Sequence, residues 1–525
     1  MRAFPQIRKH RSDSGVALLI AIFVLLLISV VAIAVVVSSG TESALTGNYR
    51  SSTGVYYAAL AGVEEARARM RTNDPNSFKN TWAAFYPAPG ATLPIGTVGY
   101  VLNPGPNDTG NMLTTYPDQE YDAEFGPGAL GSATVSTTSS VWNRAPLNGL
   151  PFAGPLYKWV RINAISEKSL NLDVDADGQA DSLTPLYNNT STCPNNLPNC
   201  FSNNVIPGAQ VLEITALAVL PNGSQKLLQY IAAPALISPS SFQPGNPLYL
   251  FQAALTLSGS NGGGSPTFQA PANNAVYAVQ GVNYDCSGNP AAGTVAAIGV
   301  FGDYTGGSYS SDLSAIANGI PTSAGGPPPT NPQLNYTGNT PPHALPDVEY
   351  LSAFPGTLQS PAQIDAFAQN IIQNAVASSV PAGSAGTQQA YLNSLNMSPT
   401  NPVTVIANGN LDLTNWTGTG YGLLLVTGTL IYDPATTWNG AVLVIGQGQI
   451  TNIDHGQYQQ INGAVFVAKT RDAGGNLLGG SRIGGGSVSF DPPMQGNGIR
   501  YSSCWVQKSQ PIGGYKILSF HEISQ

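Results

Sequence analysis

Charge is scarce in this chain: lysine, arginine, aspartate and glutamate together make up 9% of its 525 residues. With 20 basic against 28 acidic side chains it lacks the basic surplus of a nucleic-acid binder. Histidine is scarcer still. His10, His343, His455 and His521 each stand without a serine or cysteine nucleophile pattern nearby, which removes the usual ground for a triad hydrolase. There are four cysteines, and no histidine or second CxxC lies at ligand spacing from them, so they do not read as a zinc site. What the chain has in quantity is glycine and proline, 58 and 41 residues, which favour turns over long regular elements.

One stretch departs from that pattern. Met1 to Gly15 is short and basic, with Arg2, Arg8, Lys9, His10 and Arg11, and from Val16 to Val37 the chain is apolar except at Ser29. At roughly 1.5 Å per residue this run crosses a bilayer core of about 30 Å. Positive charge before the span places the N-terminus in the cytoplasm and the bulk of the chain outside. A secretory signal peptide would have a shorter apolar region, about 7 to 15 residues, followed by a small-residue cleavage site such as Val36-Val37-Ser38-Ser39. A plain membrane anchor is the second alternative. The third is a class III signal, cut on the cytoplasmic side between Gly15 and Val16.

The segment after the span favours the third. From Thr41 to Met70 there is no proline, and Gly40, Ala44, Gly47, Ser51, Gly54, Ala58 and Ala61 recur at steps of four and three. That spacing lines small side chains along one helix face. Such faces let helices approach closely, as in membrane interfaces, although the same stripe would also serve for packing on the chain's own globular part. Each interior glycine costs up to about 1 kcal/mol, which leaves room for local unwinding.

The Ser14-Gly15/Val16 junction, the long apolar helix, Thr46-Gly47-Asn48-Tyr49-Arg50 and Tyr56-Tyr57-Ala58-Ala59-Leu60-Ala61-Gly62-Val63-Glu64 resemble the type IV pilins, in particular the minor pilins of the PilX kind. The resemblance covers about seventy residues. It implies cleavage by a prepilin peptidase, residence in the inner membrane with the body periplasmic or extracellular, and assembly with other pilins into a filament. Major pilins carry Phe first and Glu fifth in the mature chain. Here Val16 and Ile20 stand at those positions. The PilX-like pilins and the tip pseudopilin of type II secretion are similar in lacking the glutamate, which points to a tip or initiation role rather than a shaft role.

The fold class expected is α+β: a leader at 1–15, a membrane and pilin-type helix at 16–72, a β-rich pilin-like domain at 73–239 and a β-rich C-terminal domain at 240–525, with a loop or linker at 320–345 around Pro327, Pro341 and Pro342. Residues 156–165 have high strand propensity, and 210–232 read as a hairpin turning at Asn222-Gly223. Ser360 followed by Pro361 predicts the start of a helix to Ala375. In an exported chain the even set of cysteines can be fully oxidised: Cys193 and Cys200 flank a turn-rich loop that a disulfide would close, leaving Cys286 and Cys504 to pair by elimination.

The strongest chemical motif is Asp173-Val-Asp175-Ala-Asp177-Gly178-Gln179-Ala-Asp181. Acidic oxygens at positions 1, 3, 5 and 9, a glycine at 6 and a backbone carbonyl at 7 match the first part of a calcium loop. Thr184 at position 12, where an EF-hand has Glu, makes it resemble instead the shorter loops of extracellular proteins; an acidic solvated turn is the bland alternative.

Finally, Gly422–Val426, Gly440–Val444 and Gly463–Val467 repeat a glycine followed by four apolar residues. Repeats of this length read as stacked rungs of a β-solenoid, with 253–258 and 275–279 as earlier rungs and a β-sandwich as the competing architecture. Since many solenoids act on polysaccharide, an anchored lyase or hydrolase using Asp433, Asp454 or Asp491 is the alternative from another class, although an enzyme is not the expectation. An adhesin displayed on a filament is compatible with the leading reading.

Overall fold

Fifty-six residues of unbroken helix, Ser14–Arg69 (α1), begin the computed structural model. It describes residues 14–70, 78, 92–106, 108–143, 147–151, 154–181, 183–189, 200–204, 209–260, 264–271, 276–305, 307–323, 331–339, 345–452, 460–490 and 498–523. Gly40, Gly47 and Gly54 do not unwind α1. Propagating an existing helix adds one hydrogen bond per residue, which absorbs isolated glycines.

The distal part of α1 is amphipathic where the first part is not. Val55, Ala58, Ala59, Val63 and Ala66, spaced three and four apart, bury one face against a six-stranded sheet. Gly62 lies on the same face: a Cβ there would sit 2.8 Å from Val160 Cγ2 and 2.9 Å from Tyr157 Cγ, so glycine permits the close approach of helix and sheet.

That sheet uses Thr97–Leu102 (β1), Thr134–Ser139 (β2), Tyr157–Ala164 (β3), Leu212–Val219 (β4), Gln225–Leu236 (β5) and the C-terminal strand Ile512–Ile523, in the order β2-β1-β3-β4-β5-C-terminal. All neighbours are antiparallel except β1 with β2. The expected hairpin is present: β4 and β5 pair in register across a turn in which Gly223 has φ 84. Along β3 the side chains alternate between layers, Val160, Ile162 and Ala164 facing α1 and Trp159 the opposite face. The helix Gln119–Phe125 (α2) covers that opposite face through Tyr121 and Phe125.

The pairing of Ile512–Ile523 with β5 corrects the expected boundary at 240–525. The second body is an insertion between two adjacent strands of the first sheet, and the chain returns to close that sheet.

Within the insertion every strand pairing among the described residues of the two large sheets is parallel. Val405–Ala407, Leu424–Val426, Thr437–Gly446 and Gln460–Lys469 lie side by side, and each is followed by a strand of the five-stranded sheet: Leu411–Asp412, Thr429–Ile431, Gln449–Thr451 and Ser487–Ser489. A sandwich of antiparallel sheets, the competing expectation, is not this arrangement. Both faces of such parallel strands are buried, which explains their continuous apolar runs. Ala253–Ser258 pairs with Gln460–Lys469, so the segment 253–258 joins the same parallel sheet out of sequence order. Val279 also joins, and residue 275 lies outside the described residues.

The linker expected at 320–345 needs correction where it is described. Pro332–Asn335 form a short 3-10 turn and Tyr336–Thr337 pair with Val279–Gln280, with the Tyr336 ring buried. An aromatic side chain with that much apolar surface gains more from the core than from water; residues 324–330 and 340–344 lie outside the described residues. The expected helix is Pro361–Asn374 (α3), with a capping box between Ser360 and Gln363. Asp365 on its buried face takes both ends of the Arg471 guanidinium at 2.7 Å.

Candidate functional site

Three places carry chemistry or unpartnered surface. The first is α1 itself. Gly15 to Arg50 is exposed at every position, and the most apolar window has a mean hydropathy of 3.4 with none of it buried. By length and composition α1 can cross a membrane. Gly15 and Val16 lie in its first turn, and Val16 is exposed. The small-residue stripe divides. Gly40 and Gly47 have nothing of their own chain within 4 Å of a Cβ position, whereas Gly54 lies against Leu220, Ser51 Oγ accepts from Asn222 Nδ2 at 2.7 Å, and Ala58 is buried. Only the lower part of the stripe is free for another molecule.

Where α1 meets the sheet, one carboxylate organises the contact. Glu65 is buried and accepts from Ser140 Oγ at 2.8 Å, from Val141 N at 2.9 Å, from the Tyr157 hydroxyl, and from Arg69 Nη1 at 3.3 Å. Desolvation of the Tyr157 ring and the adjacent Glu65 charge push that phenol well above its ordinary range, so it remains a donor. Its neighbour Glu64 is exposed and pairs with Arg67 at 2.7 Å. The motif quoted from the sequence ends at Glu64, and nothing in it marks Glu65 as the residue that turns inward.

The second place is the acidic loop. Asp173 Oδ1 accepts from Ala176 N at 2.7 Å and Oδ2 from Gly178 N at 2.9 Å, while Asp177 Oδ1 accepts from Gln179 N at 2.8 Å. Ala176 and Gly178 have φ of 63 and 91, the left-handed backbone that coils the loop around its own carboxylates. Oxygens of Asp173 and Asp175 converge with one from Glu167, all within 4.8 Å of one another, and this group could hold a metal ion. Asp177, Gln179 and Asp181 are exposed and outside that group. Glu167, fully buried, was not legible as a ligand: its carboxylate also accepts from Val174 N, and its only sequence signal is the Ser166 cap that starts its short helix. An all-carboxylate donor set suits a hard cation.

The third is a groove of about 500 Å³ in the inserted body, lined by Tyr284, Tyr421, Asn462, Arg500, Trp505 and Lys508. Beside it Cys286 and Cys504 form a disulfide, with their Cα atoms 5.4 Å apart. Cys200 is disulfide-bonded as well, and Cys193 lies outside the described residues.

Of the residues on which the enzyme alternative rests, Asp433 is buried, and His521 is exposed on the C-terminal strand with Nε2 3.0 Å from Ser519 Oγ. His10, His343, His455, Asp454 and Asp491 lie outside the described residues. Asp433 is thus the one carboxylate of that set among the described residues. Set beside known proteins, the chain matches no protein-family model, no curated protein and no solved structure.

Proposed function

We propose that this protein is a pilin-like subunit of a type IV filament system, of the PilX-like minor kind, placed at the filament tip or in the initiation complex. It would be cut between Gly15 and Val16 by a prepilin peptidase, held in the inner membrane by α1 with its body outside, and then drawn into a bundle of other subunits' helices. The observation that carries this reading is the division of α1: apolar from Val16 to Val37, exposed as far as Arg50, and packed onto the six-stranded sheet from Val55 onward. A helix built that way can exchange lipid for neighbouring helices without disturbing the fold around its far end. Ile20 cannot supply the carboxylate that would pair with a neighbour's terminal amine, and an inserted body of this size crowds a closely spaced shaft.

Immunogold labelling of filaments tests the placement. Label should sit at filament ends, and Gly15→Leu should abolish it by blocking processing. Label spread evenly along the shaft contradicts the tip position, and absence from all surface filaments favours a type II secretion pseudopilin instead.

The acidic loop supports calcium as a structural ion of the exported body, with Glu167, Asp173 and Asp175 as its core and Asp177, Gln179 and Asp181 as the remaining candidates. A ligand that binds only the folded state adds about 2.7 kcal/mol of stability at a hundredfold excess over its dissociation constant. Asp173→Asn with Asp175→Asn should lower bound calcium by one ion per chain and shrink the fall in melting temperature on chelation. Identical calcium content and chelation response in the two proteins removes the calcium assignment. We further read the stacked parallel strands of the insertion as a solenoid-like body, and its aromatic and amide-lined groove as the surface that an adhesive role would use. Of the carboxylates on which the polysaccharide-cleaving alternative rests, Asp433 alone lies among the described residues.

A further inference from the structure

On the sheet face away from α1, acidic groups gather in excess of what pairs with them. Arg161, on β3 and with no exposed side-chain surface, directs Nη1 to Asp118 at 3.0 Å and Nη2 to Glu120 at 2.7 Å and to Glu213. Glu124 stands 3.7 Å from the same Nη2. Asp118 caps α2, Glu120 and Glu124 are one turn apart on it, and Glu213 comes from β4. Among the described residues Arg161 is the one cation paired with these four carboxylates, since Lys158 pairs with Asp108 and Lys226 with Glu522. Were all four acids ionised, one guanidinium would leave three negative charges unbalanced in the protein interior, where unpaired charge is strongly disfavoured.

A second observation points into the middle of this group. Glu213 is fully buried, and although its Oε1 serves Arg161 and Thr215, its Oε2 has no hydrogen-bond partner among the described residues. Glu120, Glu124 and Glu213 each present an oxygen within 4.8 Å of the other two. Two like charges at i and i+4 of a helix destabilise it when they face water together. Here both are turned inward, with side chains only 14% and 15% exposed. That residual exposure leaves a way in from solvent on the α2 side. Gln229 Nε2 reaches Glu120 and Glu124 at 3.3 Å but donates protons, and it neutralises nothing.

We propose that Glu120, Glu124 and Glu213 form a site for one hard divalent cation, of the calcium or manganese(II) class, that clamps α2 onto the outer face of the sheet. Carboxylate oxygens are the ligands such ions select. Two positive charges together with Arg161 bring the cluster to within one charge of neutrality. This site is separate in sequence and in ligands from the Asp173 loop.

The test uses the full-length chain in detergent, stripped of metal and carrying Asp173→Asn with Asp175→Asn so that the loop does not contribute. Titration with calcium, and with manganese(II) followed by the loss of its free electron-paramagnetic signal, should give one ion per chain. Glu124→Gln keeps the shape of the side chain, stays uncharged and removes a carboxylate ligand. Its metal-free form should therefore melt no lower than its parent, while its affinity for either ion falls at least tenfold. Zero bound ion in the parent overturns the proposal, and so does an ion held equally well by Glu124→Gln, because it must then sit elsewhere.

Discussion

Replacing Glu65 with alanine is expected to undock α1 from the sheet and cost the first domain about 3–5 kcal/mol, the range for breaking a buried ion pair. The change strips the carboxylate from buried Arg69 and leaves the Tyr157 hydroxyl, Ser140 Oγ and Val141 N without the acceptor that gathers them. Glu64→Ala is the matched control. Its exposed pair with Arg67 is worth about 0.5 kcal/mol or less, so the melting temperature should barely move. Limited proteolysis adds a structural readout, since cleavage between α1 and β1 should accelerate in Glu65→Ala alone. Equal behaviour of the two variants would show that the helix–sheet contact does not depend on the buried carboxylate.

The inserted body should be equally sensitive at its stacked glycines. Gly422, Gly440 and Gly463 stand in line across neighbouring parallel strands: Gly440 pairs with Gly463, and Leu424 with Val442. A Cβ on Gly440 would fall 1.9 Å from the Gly422 carbonyl oxygen, and one on Gly463 the same distance from the Gly440 oxygen. Both have φ near +150, where a side chain is strained whatever the space. The atom in the way is backbone shared by the whole stack, which cannot step aside for one residue. Gly440→Ala should therefore lose about 3 kcal/mol or more, combining backbone strain with displaced strands. Gly479→Ala, at an ordinary φ with nothing within 4 Å, should change stability by about 0.5 kcal/mol at most. A mild effect at Gly440 would mean that the parallel strands are not held at this spacing.

What could be read from sequence was local. The apolar run of α1, the Asn222-Gly223 turn, the Ser360 cap and the glycine-led repeats are each written in a few neighbouring residues whose conformational preferences agree with the fold. What escaped was set by closure over distance. Ile512–Ile523 is an unremarkable strand by propensity, and nothing in it names β5 as its partner. Glu65 turns inward and Glu64 outward because the phase of α1 on the sheet is decided by Val55, Ala59, Gly62 and Val63 together. In the acidic loop the sequence shows Asp173 and Asp175, but Glu167 joins them only because the helix before the loop ends with Asn171 in the left-handed conformation, turning the chain back. The 320–345 segment looked like linker from its prolines, yet buried Tyr336 is drawn into the sheet.

If α1 is a pilin-type helix released by a cut before its apolar run, mass spectrometry of the N-terminal peptide from membranes or filaments will find a chain that starts at Val16, with Gly15→Leu retaining the basic leader. A mature chain starting near Gly40 would make the apolar run an ordinary cleaved signal. An intact Met1 in cells with active prepilin peptidase would make α1 a simple anchor, and either result contradicts the pilin reading.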